Sequence, residues 1–420
     1  MNNRETWNWE VGKRAIADLG QMGEYLDCHE LVVSPDGEKA AIVAQTGDQT
    51  YGVWVNGQLW EGEFEKAWNL QFAPDGRLIA LVRVDDEWTV AVDGEPWEER
   101  FDFAWNTTLS RDGSAVAVQV KRGMDYSIAL DGKVWDNSFR SCRDFSISPN
   151  GKKVAATVQV EALAEADIFK FLEGTWTVAV DGVRWEQKYL NVYAPTFSPD
   201  GAHVVAEVRL DPYRYTIARD AIPWDAEFGC VWEPTYHPDG EHVIAPVRIG
   251  AAWTLAQNGK PIWNGRYAQL WRQTLSPDGA RIAAVVASEI GAWTIAVDDR
   301  PWDSTFNELV MPGIFSVDGK HVAAIVKQDS RWGIAVDGQA WPQTYDMVWD
   351  PVFSPDGKAV AAKVERGGKY TIAVNGRHWK LELDQLWDPV FSPDGQSLLV
   401  RGAEQGTCQR QVVPLQTILG

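Results

Sequence analysis

The chain alternates apolar and polar residues over short stretches, and the pattern restarts at regular intervals. A representative unit, Phe353 to Trp379, reads FSPDGKAVAAKVERGGKYTIAVNGRHW. After the turn Ser-Pro-Asp-Gly, the apolar residues recur at every second position, and the later stretch YTIAV is β-branched and aromatic. Both features predict β-strands, and the Asn-Gly pair predicts a second hairpin turn. Each unit is therefore expected to form four antiparallel strands, a to d, with Ser-Pro-Asp-Gly as the a–b turn and Asn-Gly or Asp-Gly as the c–d turn.

The a–b turn occurs ten times. Its glycines are Gly37, Gly76, Gly113, Gly151, Gly201, Gly240, Gly279, Gly319, Gly357 and Gly395. They are 37 to 40 residues apart, except for one interval of 50. Pro presets the first turn position, Asp accepts hydrogen bonds from nearby backbone, and Gly accepts a positive φ. Four-stranded units that repeat at this period predict an all-β protein, a β-propeller of about ten WD40-like blades.

The two ends of the chain are expected to close one blade. The last unit, after Gly395, lacks a strand d, while the N-terminal stretch TWNWEVGKRA resembles a spare strand. A single ring is favoured over two five-bladed rings or an open array because no linker interrupts the period. We therefore predict that residues 1–28 contribute a closing strand, that residues 29–420 form the propeller, and that residues 160–175 are an insertion in the fourth b–c loop.

Composition and motifs argue against several functions. The net charge of −20 disfavours nucleic acid and bare anionic membrane as partners. No stretch approaches the ~18 apolar residues of a membrane-spanning helix, and the N-terminus has no apolar signal region, so a cytoplasmic location is expected. The four cysteines lie far apart, and motifs for metalloproteases, serine hydrolases and phosphate loops are missing.

From these observations we expect no enzyme, no cofactor and no metal site. The turn aspartates already have a backbone role and lie in different blades. His203, His242 and His321 share one register, two residues after the turn glycine, and are interpreted as solvated starts of strand b.

The 23 tryptophans fall into registers. Nine lie on strand d and five on strand c, where large rings are expected to pack between neighbouring sheets. A third register lies eight residues before the turn glycine, and its aromatic members are Trp68, Trp105, Tyr193, Trp232, Trp271, Trp349 and Trp387, with Met311 in an equivalent place. We predict that this third register lines the mouth of the central channel and binds a partner; the alternative is packing against neighbouring d strands.

The insertion supplies a second candidate contact. Ile168, Phe169 and Phe171 follow an acidic, alanine-rich stretch and are predicted to form a short helix with an apolar end. The b–c and d–a loops share one face of a propeller, so this helix is expected beside the third-register residues. It is interpreted as a docking element, or as a plug for the channel.

The repeats resemble the WD40-like repeats of the TolB type, in which Ser-Pro-Asp-Gly closes the a–b hairpin; the Trp-Asp pairs at Trp135, Trp224 and Trp302 lie on strand d, unlike those of true WD40 blades. With its many tryptophans, the chain also resembles the TmcD family, the tryptophan-rich subunits of transmembrane redox complexes of sulfate-reducing bacteria. That resemblance implies a non-catalytic, cofactor-free scaffold for electron transport on the cytoplasmic side, with membrane haem and iron–sulfur subunits as partners. The alternative is a stand-alone WD40-like module that binds a protein or peptide, and a weaker one is a propeller hydrolase.

Overall fold

A computed structural model describes residues 4–21, 25–162 and 168–420. In these residues the strands pair into ten antiparallel blades arranged in one ring. The predicted β-propeller fold, its blade count and its single ring are thereby confirmed.

Each blade contributes strands a to d from the inside of the ring outwards. Strand a comprises, in blade order, Asp27–Val33, Lys66–Phe72, Phe103–Leu109, Ser141–Ile147, Asn191–Phe197, Cys230–Val231 with Thr235–Tyr236, Gln269–Leu275, Leu309–Val310 with Ile314–Phe315, Met347–Val348 with Val352–Phe353, and Gln385–Leu386 with Val390–Phe391. Strand b comprises Ala40–Gly47, Leu78–Val84, Val116–Arg122, Val154–Gln159, Val204–Arg209, Val243–Ile249, Ile282–Ala287, Val322–Gln328, Val360–Arg366 and Ser397–Glu404. Strand c comprises Thr50–Val55, Glu87–Val92, Asp125–Leu130, Trp176–Val180, Tyr215–Arg219, Ala252–Gln257, Trp293–Val297, Arg331–Val336, Lys369–Val374 and Thr407–Pro414. Strand d comprises Gln58–Leu59, Glu95–Pro96, Lys133–Val134, Val183–Arg184, Ile222–Pro223, Lys260–Pro261, Arg300–Pro301, Gln339–Ala340 and Arg377–His378, and Gly12–Asp18 in the tenth blade.

The a–b turns are held by their own side chains. In the first blade, the Ser34 hydroxyl donates to Asp36 Oδ1 at 2.5 Å and accepts the Lys39 N–H at 2.9 Å, while Gly37 takes a φ of 71°. The c–d turns use the same chemistry: Asp93, at φ 49°, accepts the N–H of Leu78 at 2.9 Å. Both turns lie on one side of the ring, here called the turn face; the side with the b–c and d–a loops is called the loop face.

The tryptophans predicted on strand d follow directly after that strand in the structure, and they pack beneath the c–d turn of the following blade. A Cβ placed on Gly338 would lie 3.1 Å from Trp302 Cγ, and one placed on Gly94 would lie 3.2 Å from Trp60 Cγ. An added Cβ would be tight against the indole at these two glycines, although the fifth and seventh blades carry Ala221 and Asp299 at the same turn position. The Asn-Gly and Asp-Gly turns therefore contribute to packing between blades as well as to local turn geometry.

Both ends of the chain build the tenth blade. Strand Gly12–Asp18 pairs antiparallel with Thr407–Pro414, which confirms the predicted closure. The strand begins at Gly12, so only the end of the stretch TWNWEVGKRA is part of it.

The described helices are short. They are the 3₁₀ turns Arg4–Thr6 and Leu19–Gln21, helix α1 (Ile168–Glu173) and helix α2 (Leu415–Leu419). No described helix has the length and hydrophobicity needed to cross a membrane.

Candidate docking surface on the loop face

Most third-register aromatic residues pair with an aromatic residue on strand c of their own blade. The ring centroids are separated by 6.2 Å in Trp68–Trp88, 5.9 Å in Trp105–Tyr126, 5.5 Å in Trp232–Trp253, 4.8 Å in Trp271–Trp293 and 5.6 Å in Trp349–Tyr370. Such pairs contribute about 0.5–1.5 kcal/mol beyond the area they bury. These aromatic contacts join strands a and c of one blade, and the choice between a partner surface and packing against neighbouring d strands stays a prediction.

The remaining members have other partners. The guanidinium carbon of Arg143 lies 5.3 Å from the ring centroid of Tyr193 and 4.1 Å from the ring centroid of Trp176. Trp387 packs against the apolar cluster between the tenth and first blades. Of the tryptophans in this register, Trp68 and Trp232 are the most exposed, at 39% and 37%.

An irregularity in strand a follows each third-register residue. After Trp68 and Trp105, the next residues, Asn69 and Asn106, have a φ of 55° and the pairing with strand b shifts. In the sixth, eighth, ninth and tenth blades a proline divides strand a into two short pieces. Because a bulge turns a side chain away from the regular pleat, this position can present a polar group toward the ring axis.

Helix α1 lies in the b–c loop of the fourth blade. Ile168 and Phe169 are 65% and 83% exposed, and Phe171 is 40% exposed. The acidic stretch that precedes them, residues 163–167, lies outside the described residues. Exposed apolar side chains of this size are typical of a surface that contacts another molecule.

A cavity of about 590 Å³ opens among the fourth, fifth and sixth blades. Its wall brings together two predicted residues, Tyr193 and Trp232, with Tyr215. It also contains Glu207 and Glu233, which sequence reasoning did not select. Glu207 is the one acidic residue among the ten strand-b positions that pair with the third register, and this difference is the signal that could have indicated it.

Glu207 is a buried acid that lacks a protein partner. Glu207 is 6% exposed, and its carboxyl oxygens reach the open cavity. Among the described residues, no hydrogen bond or ion pair joins them to another group. Burial, and then the negative charge of Glu233, raise the pKa of Glu207 to about 8. An unpaired buried carboxyl group is costly for the fold, so its presence in an open cavity indicates a binding role.

In the ninth blade, a charged residue at the same position of strand b has partners within the chain. Lys363 occupies the place on strand b that Glu207 has in the fifth blade, and its ammonium lies 4.1 Å from the Trp349 ring centroid and 5.0 Å from that of Tyr370. Burial lowers the pKa of Lys363. Aromatic side chains of the loop face therefore already hold cations of this chain, and in the cavity itself Arg143 contacts Tyr193 and Arg209 contacts Tyr215. The cavity differs from the ninth blade in that it also contains an acid, Glu207, without a cation of its own.

Comparison with known proteins gives similarity of fold. No protein-family model matches the sequence, and no curated protein matches it. A structure described as the eukaryotic initiation factor is similar with a TM-score of 0.48 and 13% identity, over 80% of this chain and 91% of that chain. The Dos1 propeller is similar with a TM-score of 0.37 and 13% identity, over 76% and 92%.

A prolyl endopeptidase structure has a TM-score of 0.38 and 12% identity, and the match covers 72% of this chain but 54% of that chain. At these values the similarities carry no argument about activity, so the expected lack of catalysis stays a prediction. None of the matches identifies the TmcD family or a redox complex. A propeller is consistent with a scaffold or a protein-binding module.

Proposed function

We propose that this chain is a non-catalytic scaffold that binds a partner protein on its loop face. The observation that carries the proposal is the cavity in which Glu207 lies buried and unpaired beside Glu233 and four aromatic rings. A lysine or arginine of the partner fits this chemistry, because its charge would lower the pKa of Glu207 and pair with the carboxylate that forms, while its stem and charge contact the rings. The net charge of −20 also favours a basic partner.

Helix α1 supplies an apolar contact on the same face. Ile168 and Phe169 are exposed to water, and their apolar side chains can be buried against a partner. Apolar anchors beside a desolvated charged group are the usual arrangement of the residues that dominate binding energy.

A finer form of the proposal is that the partner belongs to a membrane-bound electron-transfer complex. It rests on the resemblance of the repeats and the tryptophan content to the TmcD family. The scaffold would then lie on the cytoplasmic side and contact membrane haem or iron–sulfur subunits. The competing function is a stand-alone WD40-like protein-binding module.

Purification from detergent-solubilised membranes of the native cell tests this finer form. If a tagged copy brings down stoichiometric subunits with haem absorbance, the chain is a redox-complex subunit. A colourless, soluble monomer would contradict that assignment and favour the stand-alone module.

Variants then test the docking face. Glu207→Gln, and Ile168→Ser combined with Phe169→Ser, are expected to reduce recovery of the partner at least tenfold. Ile222→Ser is the matched control, because Ile222 is 73% exposed but lies at the c–d turn, on the turn face. Equal recovery with all three variants would refute docking on the loop face.

A further inference from the structure

The a–b turn of the sixth blade has a histidine where eight of the other turns have serine. This residue, His237, cannot reproduce the hydroxyl bonds of the serine turns. Instead, its Nδ1 accepts the N–H of Asp239 at 3.2 Å, and its Nε2 lies 3.1 Å from the carbonyl oxygen of Gly279 in the turn of the seventh blade. A side chain at position 279 would collide with His237, since a Cβ there would lie 2.3 Å from Nε2.

A second histidine of the same blade departs from its equivalents. In the fifth and eighth blades, Nδ1 of His203 and of His321 lies 2.6 Å from a c–d turn carboxylate, that of Asp220 and Asp337 respectively. The sixth blade has Asn258 at this place in the c–d turn, and its Oδ1 accepts the Val243 N–H.

His242 is directed to the a–b turn instead. Its Nδ1 lies 2.6 Å from Asp239 Oδ2. The interpretation of all three histidines as solvated strand starts is therefore incomplete for His242, which faces a second histidine across a shared carboxylate.

Three potential ligand atoms converge at this turn. Asp239 Oδ2 lies 2.9 Å from His237 Nδ1 and 2.6 Å from His242 Nδ1, and the ligand atoms all lie within 4.8 Å of one another. Asp239 Oδ1 accepts the N–H groups of Glu241 and His242, while Oδ2 faces the two imidazole rings. Burial alone would raise the pKa of Asp239, but the hydrogen bonds from His242 and Glu241 outweigh it and hold that pKa well below its usual range.

The tautomer of His237 leaves Nδ1 able to act as a ligand atom. A carbonyl oxygen only accepts, so the contact with Gly279 requires a proton on Nε2. In the neutral ring, Nδ1 then carries a lone pair that faces the carboxylate oxygen of Asp239 at 2.9 Å. The same lone pair accepts the Asp239 N–H at 3.2 Å, so a metal ion bound by Nδ1 would replace that hydrogen bond and would lie between Nδ1 and the carboxylate oxygen.

We propose that His237, Asp239 and His242 bind a divalent transition-metal ion of the Zn²⁺ type. Two imidazole nitrogens and one carboxylate oxygen are a donor set that suits Zn²⁺. A metal-bound histidine usually donates its other ring N–H to a carbonyl or carboxylate, as His237 does to Gly279. The three side chains are partly exposed to solvent, so an ion can enter and water can complete its coordination.

The site is separate from the proposed docking surface. It lies on the turn face, and its outer hydrogen bond joins the sixth blade to the seventh. An ion bound here would therefore strengthen a contact between two blades, and metal binding would raise the stability of the folded ring.

The test is metal titration of the full chain after removal of any affinity tag and treatment with a chelator. We expect one equivalent of Zn²⁺ by calorimetry and, with Co²⁺, visible absorption bands of a low-coordinate site. His237→Ser and His242→Ala should each weaken Zn²⁺ binding by at least about tenfold, since loss of even an outer-shell partner costs roughly 10–100-fold. His237→Ser restores the residue of eight other turns and is expected to fold with unchanged circular dichroism.

His203→Ala and His321→Ala are the matched controls, because each removes a histidine of the same register that has an aspartate partner but no second histidine. They should leave the stoichiometry and the affinity unchanged. Wild-type protein that binds Zn²⁺ no more tightly than His237→Ser would overturn the proposal. So would an NMR titration in which His237 carries two protons at pH 7.5 and excess Zn²⁺ leaves its signals unmoved.

Discussion

The guanidinium of Arg401 donates a hydrogen bond of 3.0 Å to the carbonyl oxygen of Ser34, a residue 367 positions earlier in the chain. It also donates to the carbonyl oxygen of Asp388 at 2.6 Å. Arg401 is 7% exposed, and burial lowers its pKa to about 10, so it stays charged at neutral pH. The contact between the last blade and the first thus depends on a buried charge, in addition to the strand pairing that completes the tenth blade.

Replacement of Arg401 by methionine should lower the free energy of unfolding by about 2–4 kcal/mol, because two buried carbonyl oxygens lose their donor. Arg77→Met is the control: Arg77 Nη2 also joins two blades, by donating to the Gly113 carbonyl at 2.7 Å, but its side chain is 34% exposed. Arg77→Met should lower the free energy of unfolding by about 1 kcal/mol or less. Urea unfolding followed by tryptophan fluorescence measures both, and equal losses would show that the seam has no special dependence on Arg401.

Two glycine variants separate packing between blades from backbone strain. Gly338 and Gly57 occupy equivalent c–d turns with φ of 79° and 82°. An added Cβ would lie 3.1 Å from Trp302 at Gly338, whereas Gly57 has no atom within 4 Å of that position. Alanine at either site should lower the free energy of unfolding by about 1–2 kcal/mol, because of the left-handed conformation. Gly338→Ala should lower it more than Gly57→Ala, because its Cβ would also press on Trp302. Thermal unfolding of the two variants tests this, and identical melting temperatures would contradict tight packing on Trp302.

Glu207 should make the stability of the protein depend on pH. Its pKa of about 8 in the folded chain lies above the usual 4.5 of the unfolded one, so the folded state retains a proton that the unfolded state releases. The contribution of Glu207 to the free energy of unfolding is therefore fully present below about pH 4.5 and is lost as the pH rises through 8. Glu207→Gln should remove this loss and gain roughly 2–4 kcal/mol at pH 9. Denaturant midpoints at pH 5 and pH 9 measure it, with exposed Glu186→Gln as the control; a pH-independent difference would contradict the raised pKa.

The exposed side chains of α1 should contribute nothing to folding. Ile168→Ser with Phe169→Ser is expected to change the free energy of unfolding by less than about 0.5 kcal/mol, because both residues are in water. Ile295→Ala, at a fully buried position of strand c in the seventh blade, should cost about 2–5 kcal/mol. Chemical denaturation of both variants makes the comparison. A large loss in the α1 variant would mean that these residues pack against the propeller and are not available for docking.

Local chemistry was enough to predict the blades. In the first blade, as in most of the others, the serine, aspartate and glycine of the a–b turn make their bonds within six residues. The sequence of one unit therefore specifies its own hairpin. The prediction of ring closure needed only one further fact. The tenth unit lacks a strand d, and the N-terminal stretch has a strand that belongs to no other unit.

The candidate sites depend on distances that a repeat pattern does not contain. The partners of Trp232 and Trp349 follow from the pairing register of three strands, and the burial of Glu207 follows from the packing of the blades on either side. His237 and His242 look like isolated substitutions in the sequence. They become a pair only when the turn brings both rings to the same oxygen of Asp239.

The order of strands in the tenth blade has a consequence for synthesis of the protein. The ribosome makes the closing strand Gly12–Asp18 first and its partner, Thr407–Pro414, last. At about 5–20 residues per second, the first strand waits roughly 20–80 s for its partner. Lys13, Arg14 and Asp18 give this strand a charged character that lowers its tendency to pair with another nascent chain. The ring is therefore completed after translation has reached the last blade. Nine blades can form before the strand Gly12–Asp18 pairs with its partner.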